Sequence, residues 1–524
     1  MKNIVPTFLF VTALMTAYTL HGQVAPSIEW AKCFGGSIDD IAKSVKQTND
    51  GGYIVSGYSE SDNGDVTGHH GFTYSSDYWI VKLNTSGNIV WQKSFGGSND
   101  DEAGTIQQTT DGGFIVAGTS RSNDGNVSGN HGYEDYWILK LDTSGDILWK
   151  KSYGGSNPDR GGSVRQTIDG GFIVAGDSYS SDEDVSGNHG SADYWIMKLD
   201  TNGNIIWQKS FGGSGLDQAS SIEQTEDGGF IVGGNSGSND GDVSGNHGSY
   251  DYWILKLDSD GNLEWQKSLG GSGVELAGAV VPTSNGRFIV AGWTDSNDGD
   301  VSGNHGGRDY WVVKLDSVGG IIWQRSLGGD GWDDAFSVQQ TTDSGFIVIG
   351  YADSHNGDVS ENRGMNDWWI VKLDIDGNIK WQESLGGDGQ DSGSSIQQTT
   401  DGGFITAGYS DSNNGDVSGN HGSRDYWVVK LSNDQTGIES PSNPLISLHP
   451  NPVRNLLTID LATQAANAII RVYDLQGRII ALPITFSTTQ AQLNTTTLVD
   501  GFYTLQITNI KTGESEVGKF VKQQ

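Results

Sequence analysis

Seven times along the chain, an Asx-Xaa-Asx pair stands in a Gly-rich stretch that usually continues Gly-Asn-His-Gly. The pairs are Asn63 and Asp65, Asp124 and Asn126, Asp182 and Asp184, Asp240 and Asp242, Asp298 and Asp300, Asn356 and Asp358, and Asn414 and Asp416. Oxygen side chains at i and i+2 in a pliable loop suit a hard cation such as Ca²⁺, because alternate side chains converge and backbone carbonyls complete the shell. The same residues are good turn formers that bond their own backbone, and the loops lack the bidentate Glu and full spacing of an EF-hand. Both readings stay open from residue type alone. One histidine recurs per loop (His70, His131, His189, His247, His305, His421), with Arg363 in the sixth. A single imidazole per loop cannot assemble a tetrahedral zinc site, so a hydrogen bond to the loop backbone is expected. A second acidic series, Asp40, Asp101, Asp159, Asp217, Glu275, Asp333 and Asp391, follows each Gly-Gly pair and completes a carboxylate-ringed face.

Catalysis needs a nucleophile or general acid once, in one geometry, and so breaks repeat symmetry. The units depart from one another most in the fifth and sixth, at Trp293, Trp332, Arg287, Pro282, His355 and Arg363. Trp293 and Trp332 are expected on the loop face of adjoining units, where exposed rings could stack on sugars, although drift within the repeat explains them too. No nucleophile elbow or HExxH motif names an enzyme class.

The elements that must position these residues are written in a tryptophan repeat. One set falls at Trp30, Trp91, Trp149, Trp207, Trp265, Trp323 and Trp381, and another at Trp79, Trp137, Trp195, Trp253, Trp311, Trp369 and Trp427. Every step is 58 residues except the first step of the first set, which is 61. Burying an indole removes about 150–250 Å² from water, so both sets read as packing between neighbouring sheets. In the fourth unit, β-rich composition between Gly/Asp/Asn turns predicts strands over Ser221–Thr225, Phe230–Gly234, Tyr252–Leu257 and Leu263–Leu269. We name such strands a to d. The lysine in each c strand, from Lys82 to Lys430, reads as solvated or edge-protecting. Four antiparallel strands per unit leave a propeller or a solenoid. The chain opens with a lone d-type strand, Ser27–Phe34, and the seventh unit stops after strand c at Leu431. That orphan fits that vacancy, which predicts an all-β, seven-bladed β-propeller of four-stranded blades over residues 26–431, closed by the N-terminal strand. The unit resembles a WD-repeat blade in the order of its features, without that family's recurring GH and WD dipeptides.

Composition agrees. The 524 residues carry 77 Gly, 17 Trp, 9 Pro and a net charge of −34, which repels nucleic acid and anionic membranes. The lone Cys33 excludes an internal disulfide and stands where other units mostly carry Ser. Residues 1–25, with Lys2 before an apolar stretch, read as a signal peptide. No later run approaches a transmembrane length.

Periodicity ends after Leu431, and residues 432–445 read as a polar linker. Residues 446–524 change character, with strands predicted over Leu456–Asp460, Ile469–Tyr473 and Phe502–Ile507 in a small β-sandwich. HPNPVRNLLTI (His449 to Ile459, with Pro450, Asn451 and Pro452), VYDLQGRII (Val472 to Ile480, with Gly477), LVDGFYTLQI (Leu498 to Ile507, with Gly501) and the terminal GKFVKQQ follow in order. This segment resembles the type A C-terminal sorting domain of the type IX secretion system of Bacteroidetes. The resemblance implies export across the outer membrane by that machinery, then release or attachment to surface lipopolysaccharide. A secreted or cell-surface binding or adhesion module for a glycan or protein is the leading expectation, ahead of a structural matrix protein and a polysaccharide hydrolase or lyase.

Overall fold

The computed structural model describes residues 25–284, 286–433, 446–449, 453–461, 468–473, 479–487, 490–509 and 515–523. The proposed signal peptide and most of the linker lie outside them. The chain divides into two compact units, Met1–Thr436 and Gly437–Gln524.

The first unit is built of seven four-stranded antiparallel sheets. Their a strands are Asp40–Gln47, Asp101–Gln108, Asp159–Gln166, Asp217–Gln224, Glu275–Thr283, Asp333–Gln340 and Asp391–Gln398. Strand a is longer than its composition predicts, since in the fourth sheet it starts at Asp217 rather than Ser221. Its first half there is Asp-Gln-Ala-Ser, poor β formers that are held in place by pairing with strand b. A bulge interrupts that pairing in every sheet, for example between Ala42 and Ser44 and between Ala335 and Ser337, and leaves Lys43 and Phe336 unpaired. Strands b and c are the inner pair. All seven residues of Asp251–Leu257 are buried, which explains a nearly continuous apolar run where a one-faced strand would alternate. Strand d is the half-exposed edge, as in Leu263–Leu269.

In the seventh sheet the order is Ile28–Phe34, Asp425–Leu431, Phe404–Ser410, Asp391–Gln398, so the N-terminal strand supplies the missing d position. It pairs antiparallel with Asp425–Leu431, from Ile28↔Leu431 to Phe34↔Tyr426.

Both tryptophan sets lie between neighbouring sheets. The c-strand indoles are fully buried. Trp137 packs on Tyr78 of the preceding sheet at 4.7 Å, and Tyr78 Oη donates to the Trp137 carbonyl oxygen at 2.8 Å. The same pair joins the seventh sheet to the first: Trp79 lies 4.5 Å from Tyr426, whose Oη donates to Trp79 O at 2.9 Å. The d-strand indoles meet a b-strand ring of the next sheet edge-on, as Trp207 does Phe230 at 6.0 Å. Cys33 is buried in this packing, and its thiol is pushed up to about 12 by burial, then by the charges of Asp425 and Asp391, which makes it inert.

The c-strand lysines correct the reading of them as solvated. Lys198 is 5% exposed, and its Nζ lies 2.9 Å from Asp169 in the a–b turn of its own sheet. Lys82, Lys140, Lys256, Lys372 and Lys430 repeat the pair with Asp50, Asp111, Asp227, Asp343 and Asp401. The fifth sheet has no aspartate in that turn, and Lys314 donates instead to the Ile375 carbonyl at 3.0 Å.

The second unit holds two four-stranded antiparallel sheets. Three strands fall where expected, at Leu456–Leu461, Ala468–Tyr473 and Gly501–Asn509, and shorter or more polar ones complete the sheets. Leu457, Ile459 and Leu493 of one sheet share a core with Val472, Leu505 and Phe520 of the other.

Candidate functional site

The polar repeats converge on the junction between one sheet and the next. At the junction of the second and third sheets, Asp159 Oδ2 accepts from Gly155 N at 2.6 Å and Ser180 Oγ at 2.9 Å, and Oδ1 accepts from Ser178 Oγ. Across from it stands Asp135, the first residue of the preceding c strand. Its Oδ2 accepts from His131 N at 2.8 Å and lies 2.7 Å from His131 Nδ1. The loop histidine thus binds a buried carboxylate, rather than the loop backbone expected from sequence. Both aspartates are fully buried, and Asp135 Oδ1 has no partner among the described residues. Gly154 separates them: a methyl group there would stand 2.6 Å from Asp159 Oδ2 and 2.7 Å from Asp135 Oδ1. Burial pushes Asp159 up to about 6 against the Ser178, Gly155 and Ser180 bonds, and raises Asp135 against those from His131. The arrangement recurs, with Asp40 raised to about 7 and Asp101 and Asp333 to about 6, in each case chiefly by burial.

The Asx-Xaa-Asx loops cap the same passages. Asp182 Oδ1 accepts from Ser156 N at 2.8 Å, and Asp184 Oδ2 from Gly154 N at 3.4 Å. Asp124, Asp240 and Asp298 each take a Ser N–H at 2.7 Å, while Asp242, Asp300, Asp358 and Asp416 take a Gly N–H at 3.3–3.4 Å. The turn needs its central glycine, since Gly241 has φ 64° and a methyl group there would collide with the Gly212 carbonyl oxygen. Backbone N–H donation holds Asp182, Asp240 and Asp298 below the ordinary range. Each pair therefore sits on one junction. Among the described residues, no group of three or more His, Cys, Asp and Glu is placed to hold a metal ion.

The structure brings Trp293 and Trp332 together through a residue that sequence reasoning missed. The Arg308 guanidinium lies 4.0 Å from the Trp293 ring centre and 4.7 Å from that of Trp332. Trp293 is buried beneath it at 7% exposure, contrary to expectation, whereas Trp332 is 54% exposed. Arg308 also reaches Asp334 Oδ2 at 3.4 Å, which accepts from Tyr351 Oη at 2.8 Å. His355, Arg287 and Pro282 take no part in this cluster.

Arg308 belongs to a rim of positions that vary from unit to unit. In the second and third units the equivalent places hold Glu134, Arg160 and Asp177, with Tyr179 two residues on, and in the seventh Tyr409 and Arg424. Backbone pairing puts them side by side: Arg160↔Asp177, Leu276↔Trp293, Asp334↔Tyr351, and a parallel bridge Arg308↔Trp332. Arg–aromatic stacking recurs, with Arg160 over Tyr179 at 5.6 Å and Arg424 over Tyr409 at 4.9 Å. Burial raises Glu134, but bonds from Arg160 and Arg121 outweigh it and hold the carboxyl low. Comparing the seven units position by position would have found this rim.

In the second unit, Pro450, Asn451, Pro452 and Gly477 lie outside the described residues, and Gly501 opens the strand Gly501–Asn509. Val453, just after the Pro-Asn-Pro run, is buried and its N donates to Val521 O at 2.8 Å.

These sheets define an all-β protein of repeated four-stranded antiparallel units. Residues 447–523 match the secretion system C-terminal sorting domain family. The chain thus carries a type IX secretion sorting tail and is a secreted or cell-surface protein. Among solved structures it is similar to the WD40 domain of Neurospora crassa Pan2 (12% identity, 75% of this chain and 89% of that one, TM-score 0.42). It is also similar to PorZ, described as a surface component of the type IX secretion system of Porphyromonas gingivalis (12% identity, 94% and 60%, TM-score 0.39). A curated relative, regulatory protein FlaEY of Caulobacter vibrioides, is 22% identical over 399 residues, covering 67% of this chain. The match spans only 41% of that relative's length. No helix among the described residues is long and apolar enough to cross a membrane.

Proposed function

We propose that residues 26–431 form a closed seven-bladed β-propeller whose varied rim is a glycan-binding site on the cell exterior. In this reading, residues 1–25 are a signal peptide and residues 446–524 a β-sandwich that engages the type IX machinery. Closure is supported by the Trp79–Tyr426 pair and by Val45 N donating to Ser395 Oγ at 3.2 Å, both between the first and seventh sheets. The observation that carries the binding role is Trp332. A half-exposed indole stacked on an arginine presents a flat apolar face flanked by hydrogen-bond donors, as sugar rings require. The junction carboxylates, by contrast, are buried and each bonded within the fold through at least one oxygen, so the repeated loops serve as scaffold.

A glycan array probed with the full chain and with Trp332→Ala tests this reading. Binding to a restricted set of glycans, lost in the variant, is the expected result; an array with no binding, alongside capture of a surface protein through the same rim, would replace glycan by protein. Truncation before Pro450 should leave the propeller folded but retained inside the outer membrane. Normal surface display of that truncated chain would remove the sorting role.

A further inference from the structure

A cavity of about 320 Å³ is lined by the a strands of all seven sheets. Its chemistry is unlike that of the chain around it. In a protein of net charge −34, the cavity carries three cations, Lys43 and Lys46 of the first sheet and Arg165 of the third, against one lining carboxylate, Glu102 of the second, which lies near Lys43. Arg165 Nε lies 2.7 Å from Glu223. Lys46 has no hydrogen-bond or ion-pair partner among the described residues. Burial, then the nearby Arg165 charge, holds Lys46 down to about 8, against the pull of Glu223. Lys46 is thus a half-buried cation without a counter-ion of its own, which an incoming anion would supply.

The rest of the lining suits a hydroxylated molecule. Thr105 Oγ1, Ser163 Oγ and Ser395 Oγ each accept a backbone N–H from a neighbouring a strand, from Val164 at 2.8 Å and from Ile222 and Val45 at 3.2 Å. Their acceptor side is engaged, and their O–H groups have no protein acceptor among the described residues. Phe336, the unpaired bulge residue of the sixth sheet, adds one apolar surface and is 37% exposed. Its counterpart in the first sheet is Lys43, which is solvent-exposed, so water reaches the cavity.

We propose that this cavity binds a small hydroxylated carboxylate of sugar-acid size. The carboxylate faces Lys46 and Arg165, the hydroxyls meet the Ser/Thr ring, and the apolar face lies against Phe336. The site rests on the cavity alone and does not depend on what the rim binds.

Calorimetric titration of the full chain with glucuronate tests it, with glucose and inorganic sulfate as further arms. The variant is Lys46→Gln, because Gln107, Gln339 and Gln397 hold that place in other units and the fold accepts glutamine there; its melting curve checks folding. Glucuronate is expected to bind the native chain, with affinity at least about tenfold weaker in Lys46→Gln and at least about tenfold weaker for glucose and sulfate. Trp332→Ala should leave the titration unchanged. Absence of binding, equal affinity for sulfate, an unaffected Lys46→Gln, or loss of binding in Trp332→Ala would each overturn the proposal.

Discussion

The sheet junctions and the rim are adjoining layers of the same seven units, yet they obey opposite rules. At the junctions most side chains recur: a buried acid and a glycine at every step, and a histidine and a serine pair at most of them, with Glu275 and Thr294 in the fifth sheet and Ala352 and Arg363 in the sixth as the departures. At the rim, a few residues away, Glu134 gives way to Arg308, Asp177 to Trp293 and Tyr409, and Arg160 to Asp334. The buried carboxyl recurs in every sheet because each is wedged against a glycine and bonded within the junction, whereas the rim side chains stand on backbone that the junctions already hold. What the fold needs seven times is repeated; what a ligand needs once is varied.

The sharpest way to break that contrast is to remove the shared scaffold. Deleting Ile28–Phe34 leaves Asp425–Leu431 an unpaired edge and should lower Tm by about 10 °C or more, read by circular dichroism. A single junction change comes next. Gly154→Ala drives a methyl group into Asp135 and Asp159 and should cost about 2–4 kcal/mol in a denaturant melt. Acidity acts on all junctions together. A carboxyl whose folded pKa stands near 6 or 7, above its unfolded value of about 4, binds its proton more tightly when folded. Its stabilising share is complete below about pH 4 and is lost as pH rises through 6 to 7. The turn aspartates paired with lysine work oppositely, since Asp50 and Asp227 are lowered to about 2 by their Thr, Lys and Gly bonds, despite burial; their share is lost only in stronger acid. Tm should therefore be higher at pH 5 than at pH 8 by several degrees, and a flat profile would contradict the buried-acid account.

At the rim, Trp332→Ala should change stability by no more than about 0.5 kcal/mol while abolishing ligand binding, measured on the glycan that the array selects. Calcium should have the smallest effect. Because Asp182, Asp240 and Asp298 already accept backbone N–H groups, melting curves in calcium and in chelator at fixed ionic strength should coincide. A rise in Tm that grows with free calcium would instead reveal coordination by these loops.

The scaffold was largely legible because its signals are local. Tryptophans 58 residues apart, Gly-rich turns and an orphan first strand are all visible without knowing what touches what. The misreadings arose where a partner comes from elsewhere in the chain. Lys82 looks solvated until Asp50, 32 residues upstream, is brought against it. Trp293 looks like an exposed platform until Arg308 covers its face. The loop histidines gave no sign that the first residue of the next strand would be their partner. In the second unit, Gln490–Asn494 escaped notice because a short strand of polar residues carries little composition to read.

The pairing of the two ends of the first unit also has a consequence in time. Ser27 N donates to Ser432 Oγ across 405 residues, and the strand beginning at Ile28 fills a place in a sheet whose other members follow residue 390. Six sheets can assemble from neighbouring sequence as soon as it emerges, whereas the seventh must wait for both of its contributors to be on the same side of any membrane they cross. Contacts of such long separation form slowly, and the first strand meanwhile remains an unpaired segment able to seek another partner. A chain interrupted during passage is expected to hold six complete sheets and one exposed edge, because the pairing of Ile28–Phe34 with Asp425–Leu431 needs both ends of the first unit.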